Sequence, residues 1–119
     1  MHNFKELIVW QKARNLVKNV YLLTKKFPTE EKYGLSMQIQ RSCISIPSNI
    51  SEGSGRNSNK DFGRFLDIAF SSAFELETQL ILASDLNYIS EEELNNITEK
   101  IQEVQKMIYG FNNKLKKES

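Results

Sequence analysis

Apolar residues along this chain recur in steps of three and four, with no sustained alternation in steps of two, which predicts helices and no sheet. Val9, Trp10, Ala13, Leu16, Val17, Val20, Leu23 and Phe27 share one side of a helix expected over about residues 5–27. Pro28 stops it, because proline has no amide donor and disfavours helical geometry in the residue before it. Thr29 is expected to cap the next helix. Leu35, Ile39, Cys43, Ile46 and Ile50 place that second helix over about residues 31–53, with a bend expected at Pro47. Residues Gly53 to Ser58 have the composition of a turn, with Ser58 or Asn57 as the cap after it. A third helix over about 58–87 carries Phe62, Phe65, Leu66, Ala69, Ala73, Leu76, Leu80 and Ala83. Ser90 and Glu93 have capping-box spacing ahead of a fourth, over about 90–116, whose apolar positions are Leu94, Ile97, Ile101, Val104, Ile108, Phe111 and Leu115.

Short connections favour antiparallel neighbours, so the expected fold is all-α: one domain, residues 1–119, built as an up-down-up-down four-helix bundle. A chain of 119 residues, 39% hydrophobic and 26% charged, has the composition of an ordinary globular domain.

The third helix is more apolar than one bundle requires. Beyond its core stripe, Gly63, Phe70, Phe74 and Ile81 form a second stripe ~110° away, and Ile68 and Leu82 lie on yet another side. An apolar surface of this size on a monomer would promote association, so the stripe is expected to be a subunit interface. Glu77 falls between the two stripes, and a carboxylate there needs a donor; Arg41, on the lysine-free side of helix 2 with Asn49 and Glu52, is the first candidate, for Glu77 and also for Glu75. Arg41, Asn49, Glu52, Glu75 and Glu77 are accordingly expected to form an interhelical polar network that fixes register, with Glu52, too far along the helix to pair with Arg41, needing Arg56, Lys60 or Arg64.

Candidate chemistry is sparse. The single histidine, His2, sits at a terminus expected to be loose, and the single cysteine, Cys43, has no partner for a disulfide. No catalytic residues, cofactor-binding residues or metal ligands are identified, and no enzyme activity is expected. The opening residues hold only a short apolar run, so neither a leader peptide nor a membrane span is expected, and a reducing cytoplasm is the expected setting.

Net charge is +1 but unevenly spread: residues 1–60 carry ten Lys/Arg against four Asp/Glu, and residues 61–119 carry six against eleven. Helices of opposite charge packed within a bundle or between subunits would produce this pattern, and so would a basic surface for RNA or DNA on helix 1, with Lys12, Arg14, Lys18 and Lys25 as its contacts. No aromatic residues for base stacking are interleaved with these lysines and arginines, which favours the packing explanation.

Several stretches together resemble a known family. They are Leu7-x-Val9-Trp10-Gln11-Lys12-Ala13, Phe27-Pro28-x-x-Glu31-x-Tyr33-Gly34-Leu35, Gln38-Ile39-x-Arg41, Ser45-Ile46-Pro47-Ser48-Asn49-Ile50-x-Glu52-Gly53, Phe62-x-x-Phe65-Leu66-x-Ile68-Ala69 and Ser72-x-x-Glu75-Leu76-Glu77-x-Gln79-Leu80. The chain resembles, over about residues 4–90, the bacterial four-helix-bundle proteins encoded by intervening sequences in 23S ribosomal RNA genes. The resemblance implies a ring-like homopentamer without known catalytic activity and with an undefined cellular role; of the two function classes left open, a non-enzymatic scaffold for protein partners is the first reading and a nucleic-acid-binding accessory protein the second. A more distant relative implied by the same motifs is the basic accessory protein of diversity-generating retroelements, which works with a reverse transcriptase and nucleic acid. The net charge of +1 departs from that relative. Ser51 replaces a common alanine, and Phe70 precedes Ser71 where a glycine is usual, adding bulk to the expected interface.

Overall fold

The computed structural model describes residues 2–119. Among them are four α-helices, α1 (Ile8–Thr24), α2 (Leu35–Ser54), α3 (Asn59–Asp85) and α4 (Glu91–Lys117), two single 3₁₀ turns (Phe4–Glu6 and Thr29–Glu31), and no strand.

The first two helices start later than the apolar pattern alone suggests, and each delay has a local cause. Leu7 is extended, which separates the turn Phe4–Glu6, capped by Asn3, from α1. Gln11 spans the break by donating to the Lys5 carbonyl at 2.9 Å. After Pro28, Thr29 opens a 3₁₀ turn instead of capping a helix. The cap of α2 comes from Glu31, whose Oε1 accepts from the Leu35 amide at 3.0 Å while Oε2 accepts from the Tyr88 hydroxyl at 2.7 Å. These two bonds, that of the Leu35 amide foremost, hold the Glu31 carboxyl below its ordinary pKa.

The expected caps further along are present. Ser58 Oγ accepts from the Asp61 amide at 3.1 Å, and Ser90 and Glu93 form a reciprocal capping box. Helix α3 ends on Asn87, whose φ of 64° lies in the left-handed region that asparagine tolerates, and the Tyr88 amide returns to the Ala83 carbonyl at 2.9 Å. Three glutamates open α4 and three lysines close it, matching the sign of the helix dipole at each end. Helix α2 runs unbroken through Pro47.

The helices enclose one core in a molecule of 46 × 24 × 20 Å. Ala13, Leu16 and Val20 from α1, Ile39, Cys43, Ile46 and Ile50 from α2, Leu66, Ala69, Ala73, Leu76 and Leu80 from α3, and Ile101, Val104 and Ile108 from α4 are all closed to solvent. Helices α2 and α3 pack most extensively, whereas α1 and α3 lie diagonally with no close backbone approach.

Each end of the molecule is fastened by contacts among several elements. At one end the His2 ring packs against Phe62 (5.1 Å) and Phe111 (6.0 Å), and its amide donates to the Ser54 carbonyl at 3.0 Å, so this terminus is tied down and not loose as expected. At the other end Phe27 meets Tyr88 at 5.3 Å, and Lys26, just beyond α1, binds Glu93 of α4.

Gly53 marks a close approach of α2 to α3. A Cβ there would lie 2.7 Å from Phe65 Cβ and 2.8 Å from Phe62 Cδ1. Gly53→Ala would gain about 1 kcal/mol of helix propensity, but the clash involves an atom fixed to the α3 backbone, and overpacking costs typically 1–3 kcal/mol or more. Net destabilisation is expected in urea unfolding at fixed protomer concentration. Gly55→Ala, whose new Cβ would meet only the Glu52 carbonyl at 3.6 Å, should be close to neutral.

Candidate interaction surface

The polar residues along the α2–α3 seam form a ladder. Ser42 Oγ donates to Gln79 Oε1 at 2.7 Å, Ser45 and Ser72 share a hydrogen bond of 2.8 Å, and Asn49 Nδ2 donates to the Ser45 carbonyl and hydroxyl at 2.8 and 2.9 Å. Ser42, Ser72 and Gln79 are buried. Because these side chains are short, they satisfy one another without holding the helices apart, and every rung must be matched for the pair to seat.

The charged residues expected in this network are placed otherwise. Glu77 turns toward α4 and accepts from Gln105 Nε2 at 3.3 Å; it does not meet Arg41. Arg41 and Glu75 are exposed on the rim of a cleft of about 350 Å³ whose wall is the serine–glutamine ladder. Glu52 pairs only with Arg56 of its own helix end, at 3.8 Å. Of the five expected network residues, Asn49 alone belongs to the ladder. The sequence signal for the true rungs is the pairing of Ser42, Ser45 and Asn49, at helical spacing on α2, with Ser72 and Gln79, seven apart on α3.

The second apolar stripe on α3 divides in two. Gly63 and Phe70 serve the subunit itself. A Cβ on Gly63 would lie 3.0 Å from Asn112 Oδ1, so the glycine makes room for α4, where the buried Asn112 donates to Asp67 at 2.9 Å. Phe70 is half-buried against the core. Phe74 and Ile81, by contrast, are 51% and 44% exposed, and Tyr109 of α4 is 60% exposed with its ring 6.2 Å from that of Phe70. Ile68, Leu82 and Leu86 are exposed as well. The apolar excess on α3 is therefore an open surface over much of its length.

The candidate nucleic-acid contacts do not form one patch. Lys12 binds Glu103 of α4 at 3.3 Å. Arg14, Lys18 and Lys25 are exposed on the other flank of α1, the Arg14 guanidinium lying 5.6 Å from the Trp10 ring centre. Between α1 and α2 on that flank is a groove of about 360 Å³ with Trp10, Val17, Ile44 and Pro47 in its walls, which the periodicity of either helix alone does not reveal.

Reactive groups are few. Cys43 is wholly buried, and loss of solvent pushes its thiol up to about 12, far from the thiolate form at neutral pH. No group of three or more metal-ligating side chains occurs among the described residues.

Residues 5–110 match the family model of the 23S rRNA-intervening sequence protein. The chain belongs to that family. Among solved structures, this intervening-sequence protein is similar to a protein of unknown function from the S23 ribosomal protein family of Bacteroides thetaiotaomicron. The two share 29% sequence identity with a TM-score of 0.82, over 88% of this chain and 98% of that one. No curated protein matches the intervening-sequence protein.

The ladder of this intervening-sequence protein can be tested as a coupled pair. Ser42→Ala leaves the buried Gln79 carbonyl oxygen without its donor and should cost about 1–3 kcal/mol, whereas Ser42→Ala combined with Gln79→Met removes both partners and should recover most of the loss. Urea unfolding of the two single variants and the double variant measures the coupling; additive losses would mean the hydrogen bond contributes nothing.

Proposed function

We propose that this protein is a non-enzymatic subunit that assembles with copies of itself, as a ring of five, into a cytoplasmic scaffold for protein partners. The observation that carries the reading is the exposed row of Phe74 and Ile81 on α3, with Tyr109 of α4 exposed as well, large apolar side chains that water would leave only for a partner surface. Within the subunit the helices run up-down-up-down and antiparallel. Supporting this, Thr24 at the end of α1 accepts from Gln40 near the start of α2, and Asn59 at the start of α3 donates to Leu115 near the end of α4. The assembly number and the absence of catalysis are what the family resemblance implies. No described helix is long and apolar enough to cross a membrane.

Light scattering coupled to size-exclusion chromatography tests the reading. A mass about five times the subunit's 13.8 kDa is expected, and Phe74→Glu should drive it down toward a single subunit, because an unpaired carboxylate would be desolvated at every contact of a closed ring. A wild-type mass near 13.8 kDa at micromolar concentration would sink the proposal.

A second reading, RNA or DNA binding, is favoured by one observation: α1 has no acidic residue, and Arg14, Lys18 and Lys25 are exposed along one side of it and just beyond its end. Weak binding that fades steeply with salt and falls further in Arg14→Glu/Lys18→Glu is the expected outcome. Sequence-selective binding that persists at physiological salt would overturn the scaffold.

A further inference from the structure

The α3 strip has a patterned charge. Asp67, Phe74 and Ile81 occur at steps of seven and Asp85 lies four beyond, so they run along one side of the helix with the apolar pair in the middle and a carboxylate toward each end. All four are exposed, and among the described residues neither Asp67 nor Asp85 makes an ion pair; Asp67 meets only the Asn112 amide.

The α1–α2 groove has the opposite pattern. Its walls are apolar, from Trp10, Val17, Ile44 and Pro47, and its volume of about 360 Å³ leaves room for an aromatic ring. Arg14 lines it, and Lys18 and Lys25 continue the same side of α1. Acid is absent from α1, and the single acid of α2, Glu52, is held by Arg56.

Neither surface suits a copy of itself. Two α3 strips face to face would set aspartate against aspartate at each end, and two grooves would set arginine and lysine against arginine and lysine. Strip against groove places apolar on apolar and acid beside base. The two surfaces also lie on opposite sides of the bundle, since the backbones of α1 and α3 nowhere approach closely, so one subunit can use both at once.

We propose that the subunits join head to tail, the Phe74–Ile81 strip of one copy seated in the α1–α2 groove of the next. This rests on the self-assembly proposed above and adds the second surface. Such a contact is heterologous and closes into a ring when the rotation per step divides a full turn. It also covers the Arg14 and Lys18 side of α1, which is then closed to nucleic acid in the assembled form.

Two variants at exposed positions test it: Phe74→Glu spoils the strip and Ile44→Asp spoils the groove. Circular dichroism and unfolding checks should show both folded. Each alone should lose the assembled form. Mixed in equal amounts, at the concentration where the wild type is fully assembled, they should form a species of about twice 13.8 kDa, because one variant keeps an intact groove and the other an intact strip. If the wild type assembles, Phe74→Glu dissociates it and Ile44→Asp does not, the groove assignment fails while self-assembly stands. A mixture that stays at single-subunit mass also overturns the head-to-tail pairing. A wild type that is itself a single subunit removes the underlying reading instead.

Discussion

The close approach of α2 to α3 is the constraint on which the other contacts depend. Gly53 allows the helices to touch at one end, and the ladder of Ser42, Ser45, Asn49, Ser72 and Gln79 continues the seam with side chains short enough to keep it tight. Short polar groups in a buried seam are directional, so a shift by one helical turn would leave hydroxyls and amides unmatched at about 1–3 kcal/mol each. The apolar residues provide cohesion without direction; the ladder selects one alignment among those they permit. With α2 and α3 set, Ile39, Ile46 and Ile50 share one core with Leu66, Leu76 and Leu80, and α1 and α4 close it from the remaining sides.

This division of labour explains why α3 can be apolar on several sides. A helix whose register is fixed by polar rungs need not keep its outer surface hydrophilic to avoid misalignment, so that surface is free to meet another molecule. The charges are sorted in the same way. Lys12–Glu103 from α1 and Lys26–Glu93 from just beyond its end bridge to α4 at the least extensive helix contact, whereas Asp67 and Asp85 on α3, Arg14 and Lys18 on α1 and Lys25 just past it make no ion pair among the described residues.

Helix number, the caps at Ser58 and Ser90, the core residues and the exposure of Phe74 and Ile81 were legible in the sequence, because each comes from periodicity or from a local backbone bond. What escaped depends on pairing between helices. Glu77 turned to Gln105 and not to Arg41 because angular position on one helix does not say which neighbour stands opposite. Gly63 looked like part of an outer stripe, yet the space above it belongs to Asn112. The delayed start of α2 had the same origin: its cap comes from Glu31, held from the far side by Tyr88, a residue 57 positions away in the chain.

The wholly buried thiol of Cys43 gives the fold a built-in reporter. Being the single cysteine, sealed in the middle of α2 and kept protonated by its surroundings, it can meet an alkylating reagent only when the core around it opens. The rate at which reagent is consumed therefore tracks the opening of the core around α2. Comparing that rate between dissociated and assembled protein would reveal whether the interior of a subunit becomes quieter when its neighbours are in place.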